Sequence, residues 1–133
     1  MKIAITSMGA DLDAQVDPRF GRAQYFIIID PDTMEFEAIE NQGNEAAHGA
    51  GIQSGQLMSS RGVQAVITGS VGPNAHQTLS AAGIEMYQSA GGTVAQTIDD
   101  YKSAKLKPIS EIGPAHRGMG GGGGRGRGLG PGR

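Results

Sequence analysis

The sequence predicts a single α/β domain built on a mixed β-sheet, and three observations point to this class. A chain of 133 residues with 38% apolar side chains is long enough to bury one core but too short for two. The first 40 residues contain three runs that favour strands. From residue 50 onward, helical and strand patterns alternate, which is typical of crossovers that join parallel strands.

The first three predicted strands differ in how much of each they should bury. Residues 2–6 (KIAIT) are a short β-rich run, and residues 24–30 (QYFIIID) are continuously apolar, as in a strand that is buried on both faces. Residues 34–40 (MEFEAIE) alternate apolar with acidic side chains, which predicts a half-exposed strand antiparallel to the one before it. The connection over residues 7–23 is long for a small domain, so we expect it to be functional or mobile.

The remaining predicted elements are a helix over 50–61, a strand over 63–67, a helix over 73–82, a strand over 84–87 and a helix over 94–101. Gly62 suits the stop of the first helix, and Thr93 can cap the third. The predicted apolar faces are Ala75, Leu79 and Ala82 on the second helix, and Val94, Ile98 and Tyr101 on the third. The result is a five-stranded mixed sheet with flanking helices, in which the first, fourth and fifth strands are parallel.

Charge divides the chain into two parts. Residues 1–112 carry 7 basic and 13 acidic side chains, a net charge of −6, and we expect them to form the folded domain. Residues 113–133 carry four arginines, no acid and 11 glycines, which predicts a disordered Gly/Arg-rich tail because so little apolar area could be buried there. An acidic body disfavours broad binding to nucleic acid, so only the tail could make such contacts.

The residue types that are missing exclude several classes of site. The chain has no cysteine, which rules out disulfides, thiolate nucleophiles and cysteine-ligated zinc or iron–sulfur centres. No signal-peptide pattern precedes the first strand, and no apolar run is long enough to span a bilayer. We therefore expect a cytoplasmic protein.

Three helices are predicted to begin at glycine-rich turns, at residues 48–51 (HGAG), 69–74 (GSVGPN) and 91–93 (GGT). A helix N-terminus offers unpaired N–H donors and a partial positive charge, and glycine lets an anion approach the backbone. The second and third turns follow strands, and the 7–23 loop leaves the first strand at the same edge with Arg19 and Arg22. The combination predicts a pocket for a compact anion, although each turn alone could equally be a tight connection.

Catalysis has little support in the sequence, and we expect a protein that is not an enzyme. Neither GxxxxGK[ST] nor a GxGxxG after the first strand is present. The loop acids Asp11, Asp13 and Asp17 could hold a divalent metal, but a nuclease centre needs carboxylates fixed on rigid elements. Solvated loop acids are the better interpretation. Asp17 is treated separately, because Asp17-Pro18 could fix the turn that presents Arg19 and the carboxylate could also pin that arginine.

His48 is the strongest candidate for a metal ligand in a chain without cysteine. His76 falls inside a predicted helix, and His116 lies in the tail. A catalytic arrangement of His48 with Ser7 and Ser70 lacks the spacing of a nucleophile elbow. Most single histidines are not ligands, but the glycines that flank His48 favour it as a candidate ligand over a catalytic base.

Three stretches, VDPRFGRA, HGAGIQ and ITGSVGPNA, resemble the dinitrogenase iron–molybdenum cofactor biosynthesis family, and the resemblance extends over residues 2–108. That family includes cofactor-carrier domains of nitrogenase assembly and small orange-protein-like molybdenum–copper proteins. The resemblance implies a ribonuclease H-like fold, which agrees with the predicted sheet. It also implies non-covalent binding of an iron–molybdenum or related metal–sulfur cluster, or of its precursor.

By this resemblance, the cluster site would be lined by residues of the RFG, HGAG and TGSVGPN stretches, with His48 as the metal ligand. Ser7 and Gly92, at the same predicted edge, complete the cofactor-binding set. The full set is Ser7, Arg19, Phe20, Gly21, His48, Gly49, Gly69, Gly72, Asn74 and Gly92. The lack of thiolates suits a carrier, which has to release what it holds.

The expected function is therefore carriage of an anionic metal–sulfur cofactor by a monomer whose partners are cluster donor or acceptor proteins. Two other classes stay open. One is a regulatory module that senses a small anion without metal. The other is a nucleic-acid-associated protein that acts through its tail, although the tail lacks the interleaved aromatic residues that usually stack on RNA bases.

Overall fold

The computed structural model describes residues 1–41, 50–89 and 91–109, and these form six strands and three helices. The strands are β1 (Lys2–Ser7), β2 (Tyr25–Ile29), β3 (Phe36–Glu40), β4 (Val63–Thr68), β5 (Glu85–Gln88) and β6 (Lys107–Pro108). The helices are α1 (Ala50–Ser60), α2 (Pro73–Ala81) and α3 (Val94–Lys102). Each of the predicted strands and helices is therefore present, with ends shifted by one or two residues.

All six strands form one mixed sheet in the order β3-β2-β1-β4-β5-β6. β1, β4 and β5 are parallel, as predicted, while β2 is antiparallel to both β1 and β3. The prediction of five strands was wrong, because β6 adds a sixth strand antiparallel to β5. Two residues, one of them proline, are too short a run to show a period in sequence.

The sheet is covered on both faces, which explains the uninterrupted apolar character of β2. We call its two sides the α1/α2 face and the α3 face. The α1/α2 face buries Ala4, Phe26 and Ile28 from the strands with Met58, Ala75 and Leu79 from the helices. The α3 face buries Ile3, Ile5, Ile27 and Ile29 from the strands with Val94 and Ile98 from α3 and Val16 from the 7–23 loop. Successive residues of a strand point to opposite faces, so only a continuously apolar β2 satisfies both.

Two expectations about burial need correction. Ala82, predicted on the buried face of the second helix, is exposed, because α2 ends at Ala81 and the chain turns there. β3 is more exposed than predicted, with only Ile39 partly buried. β3 is an edge strand, and acidic side chains on an edge strand discourage pairing with another chain.

The helix ends follow local signals in the sequence. Thr93 caps α3 in a capping box with Gln96, and Gly62 follows α1 with a left-handed backbone (φ 73°). The turns after α2 and α3 share one pattern, in which the residue after a left-handed residue donates its amide to the carbonyl five residues earlier. The donor is Ile84 after α2 (3.0 Å to the Leu79 carbonyl) and Lys105 after α3 (2.9 Å to the Asp100 carbonyl). That left-handed residue is Gly83 (φ 73°) after α2 but Ala104 (φ 57°) after α3.

Two predictions are not decided by this architecture. The ribonuclease H-like classification stays a prediction, and the predicted tail over residues 113–133 lies outside the described residues. Among the helices of the described ranges, none has the length and apolar character needed to cross a membrane.

Candidate functional site

The 7–23 loop folds back over the edge of the sheet at which β1, β4 and β5 end, and we call this edge the carboxyl edge. Thr6 and Asp17 are tied twice, because the Asp17 amide donates to the Thr6 carbonyl (3.0 Å) and the Thr6 hydroxyl donates to the Asp17 carbonyl (2.6 Å). Thr6 Oγ1 also lies 2.8 Å from Thr68 Oγ1 on β4. These buried contacts fix the loop to the sheet just before Arg19.

The loop then meets the turn between β4 and α2 at very short range. The Ser70 amide donates to the Pro18 carbonyl (2.8 Å), and the Phe20 amide donates to the Ser70 carbonyl (3.3 Å). A side chain at Gly69 would not fit, because its Cβ would lie 2.6 Å from the Pro18 carbonyl oxygen and 2.8 Å from the Pro18 Cα. Gly69 is therefore required for backbone packing.

Asp17 is fully buried and gathers several donors around its carboxylate. Oδ1 accepts the backbone N–H of Arg19 (3.1 Å) and its Nε–H (3.3 Å), while Oδ2 accepts Nη2 of Arg19 (3.4 Å) and the amide of Gln24 (3.3 Å). The Arg19 side chain is 58% exposed although its guanidinium is held on one side. Asp17 is thus not the solvated acid predicted for the loop, and it does pin Arg19.

α2 begins next to this contact and has open donors. Gly72 is its N-cap, with an extended backbone and no side-chain cap, and Pro73 brings no N–H. The first turn of the helix thus leaves the amides of Asn74 and Ala75 without a protein acceptor among the described residues. Two backbone donors and the positive end of the helix face the space in front of Gly72, where an added Cβ would meet nothing within 4 Å.

The start of α3 does not have the unpaired donors that its glycine-rich turn predicted. The amides of Val94 and Ala95 donate to the loop carbonyls of Ala14 and Leu12, both at 2.9 Å. The Gln96 amide donates to its own helix cap, and Gly92 offers its carbonyl to the loop rather than an N–H. Carbonyl groups of the 7–23 loop therefore accept the hydrogen bonds that an anion would otherwise accept at the start of α3. In addition, α3 covers the face of the sheet opposite to α2.

Three other residues of the predicted set support the loop from inside. Ser7 is buried and donates through Oγ to the Gly9 carbonyl (2.7 Å). Phe20 is 2% exposed and packs in the core, with its ring centroid 5.6 Å from that of Phe26. Gly21 accepts a hydrogen bond from the Asn41 side chain through its carbonyl (3.1 Å). The structure therefore brings together Arg19, Gly69, Gly72 and Asn74 on the α1/α2 side of the carboxyl edge.

His48 and Gly49 lie outside the described residues, so their assignment stays a prediction. They are the two residues that precede Ala50, at which α1 begins. α1 and α2 lie side by side, because a Cβ at Gly55 would come within 2.6 Å of the Thr78 side chain. Each of these two helices precedes a parallel strand, so both start at the carboxyl edge.

The acidic residues of the described chain do not form a cation site. Asp11 and Asp13 are exposed at the loop surface. No group of three histidine, aspartate or glutamate side chains placed to hold a metal ion occurs within residues 1–41, 50–89 and 91–109. On the α3 face, the hydrogen bond to Glu85 raises the pKa of Tyr87, and burial raises that of Tyr101.

Sequence reasoning missed two residues that help to build this edge, namely Thr6 and Thr68, and gave Asp17 and Pro18 only a conditional role. The signal for that conditional role was the Asp-Pro pair at residues 17–18, because an aspartate before a proline often accepts hydrogen bonds from the backbone of a turn. The two threonines gave no signal, since their positions at strand ends matter only once β1 and β4 are paired.

The structure is similar to several solved structures. It superposes on the apo form of the orange protein from Desulfovibrio gigas with a TM-score of 0.78 and 39% sequence identity, covering 82% of this chain and 92% of that one. A Thermotoga protein named as a candidate NifB protein gives a TM-score of 0.76 and 39% identity, covering 86% and 97%.

Sequence comparison finds a relative that covers most of this chain, and a family whose pattern matches it. An uncharacterized protein of Methanocaldococcus jannaschii is 28% identical over 111 residues, which cover 80% of this chain and 94% of that protein. The sequence pattern of the family described as "Dinitrogenase iron-molybdenum cofactor" matches residues 1–104, which include the carboxyl edge described above. The chain therefore belongs to the dinitrogenase iron–molybdenum cofactor family.

Proposed function

We propose that this protein binds and carries an anionic metal–sulfur cofactor, of the iron–molybdenum or a related type, or its precursor. The observation that carries the proposal is that the same edge of the sheet holds two open amides, at the start of α2, and the exposed guanidinium of Arg19. The chain that carries them belongs to a cofactor family. N–H donors of this kind bind the sulfide or oxide atoms at the surface of an anionic cluster without bonding to its metals.

The proposed binding surface consists of Arg19, Gly69, Gly72 and Asn74, with His48 and Gly49 contributed by the residues before α1. Gly69 lets the loop approach the β4–α2 turn, and Gly72 keeps the space before the α2 amides free of a side chain. His48 supplies a metal ligand or a hydrogen bond. Gly92 and Ser7 have a lesser part in this proposal, because the structure engages both in holding the 7–23 loop.

We further propose that the protein acts in the cytoplasm as a monomer, without chemical turnover, and exchanges its cargo with donor and acceptor proteins. Hydrogen bonds and at most one imidazole would hold a cluster less firmly than a set of thiolates. This difference supports reversible carriage over permanent incorporation.

The first test compares two arginine variants under anaerobic conditions. Each protein is incubated with tetrathiomolybdate and with iron plus sulfide, desalted, and assayed for bound molybdenum, iron and sulfide. We expect Arg19→Ala to lose most of the bound metal and Arg61→Ala to retain it, since Arg61 pairs with Glu37 on β3. Equal retention by both variants would contradict the proposed surface. Binding of phosphate or sulfate without any metal would instead favour an anion sensor.

The second test concerns His48, with His76→Ala as its control. Only neutral imidazole can ligate a metal, so binding should weaken as the pH falls through the ordinary pKa of imidazole, about 6.5. We expect His48→Ala to remain folded, to lose cluster absorbance and to lose this pH dependence. His76→Ala should behave like the unchanged protein. Unchanged affinity in His48→Ala would leave the anion to Arg19 and the α2 amides alone.

A further inference from the structure

The Asp17 carboxylate raises a question of energetics. It is fully buried, and taking a carboxylate out of water is costly unless its oxygens are hydrogen bonded. The amides of Arg19 and Gln24 already close the turn, at 3.1 and 3.3 Å. The loop could therefore be shaped by backbone donors alone, yet the carboxylate also binds the guanidinium of Arg19 through Nε and Nη2.

The orientation of this pair decides what it does. An arginine side chain carries five N–H bonds, and the contacts through Nε and Nη2 leave both N–H bonds of Nη1 and one of Nη2 directed away from Asp17. The backbone of Arg19 is held as well, by its bridge to Ser70. A guanidinium fixed at both ends has already lost the rotamer freedom that binding would otherwise remove.

We propose that Asp17 is a positioning residue, which holds Arg19 so that its free N–H bonds face an anion in front of α2. This proposal rests on the proposed function and deepens it in one respect. The Asp17–Arg19 pair carries no net charge, so the site would recognise its anion by the directions of its donors more than by net positive charge. Such a site favours a large anion of diffuse charge, such as tetrathiomolybdate, over a compact anion of higher charge density, such as phosphate.

Positioning and simple charge attraction predict opposite changes in anion affinity for one substitution. Asp17→Asn removes a negative charge from beside Arg19, so charge attraction alone would make an anion bind more tightly. Positioning predicts weaker binding, because the Asn –NH2 group would face donors in either orientation. In place of Oδ2 it would face Nη2 of Arg19 and the Gln24 amide, and in place of Oδ1 it would face the backbone N–H and the Nε–H of Arg19. Arg19→Lys extends the comparison. Lysine keeps the positive charge and leaves the backbone amides that donate to Asp17 in place, but its ammonium group cannot make the two parallel hydrogen bonds of a guanidinium to the carboxylate.

The experiment is equilibrium dialysis of the full chain against tetrathiomolybdate, with phosphate as the competing probe. We expect Asp17→Asn and Arg19→Lys each to weaken tetrathiomolybdate binding about tenfold or more, and the double variant to be no weaker than either. Tighter binding by Asp17→Asn, or unchanged binding by Arg19→Lys, would overturn the proposal. If Asp17→Asn fails to fold by circular dichroism, Arg19→Lys and the measurement below decide.

A readout without ligand separates this proposal from the proposed function. In ¹⁵N NMR spectra of the protein without ligand, the Nε–H of Arg19 should exchange slowly with water, whereas that of Arg61 should exchange fast because its contact with Glu37 goes through Nη1. Equally fast exchange at both arginines would overturn the positioning role. A protected Arg19 Nε–H in a protein that binds no tetrathiomolybdate would contradict cofactor carriage while confirming that Asp17 holds Arg19.

Discussion

Two glycines in the turn between β4 and α2 should lose very different amounts of stability when the same methyl group is added. At Gly69 the new Cβ would lie 2.6, 2.8 and 2.9 Å from the carbonyl oxygen, Cα and Cβ of Pro18. None of these atoms can move away by a side-chain rotation. At Gly72 the new Cβ would meet nothing within 4 Å, and the backbone (φ −74°, ψ 171°) suits alanine.

The size of the effect follows from what has to give way. Overpacking a tight contact costs about 1–3 kcal/mol. Moving Pro18 aside would also weaken the hydrogen bond from the Ser70 amide (2.8 Å), which contributes about 0.5–1.5 kcal/mol. We therefore expect Gly69→Ala to lower the free energy of unfolding by about 2–4 kcal/mol. Gly72→Ala should lower it by less than about 1 kcal/mol, since alanine is a poorer N-cap than glycine.

Urea unfolding followed by far-ultraviolet circular dichroism measures both values, and the chain has no tryptophan for fluorescence. Metal binding adds an independent comparison, because a methyl group at Gly72 would occupy the space before the α2 amides. Gly72→Ala should thus bind tetrathiomolybdate poorly while remaining stable. Equal stability losses in the two variants, or a stable Gly69→Ala, would refute the assignment of Gly69 to backbone packing.

The remaining predictions concern stability away from the site. Ala104→Gly should raise the free energy of unfolding by about 1 kcal/mol and Gly83→Ala should lower it by about 1 kcal/mol, because both residues have a left-handed backbone at a helix end. Urea unfolding measures both changes, and midpoints that move in the same direction for the two variants would contradict this. Deleting residues 113–133 should change the melting temperature by less than about 3 °C, and a larger fall would mean that the tail packs on the domain. Replacing the exposed Asp11 and Asp13 together with Asn should change stability by less than about 0.5 kcal/mol, and a magnesium-dependent RNA hydrolysis that this double variant abolishes would show an enzyme instead.

Much of the fold could be predicted from the sequence because the responsible signals are local. Pro73 and Thr93 begin helices, and Gly62 and Gly83 end them, through backbone preferences that act within one turn. The alternation of helices with apolar runs was enough to predict that the first, fourth and fifth strands are parallel. The short β6 strand escaped prediction, since pairing with β5 and not composition makes it a strand.

The sequence by itself also predicted which part of the chain lies at the carboxyl edge and that an anion binds there, but the tertiary structure decided which groups are available at that edge. Asp11, Asp13 and Asp17 lie in one loop and have the same type of side chain. Of the three, only Asp17 is buried and bound to Arg19. Two glycine-rich turns looked equivalent in sequence, yet the loop carbonyls fill the donors of α3 and leave those of α2 open. Burial and hydrogen-bond partners depend on segments that are far apart in sequence, such as those of Ala14 and Val94, so no local pattern could assign them.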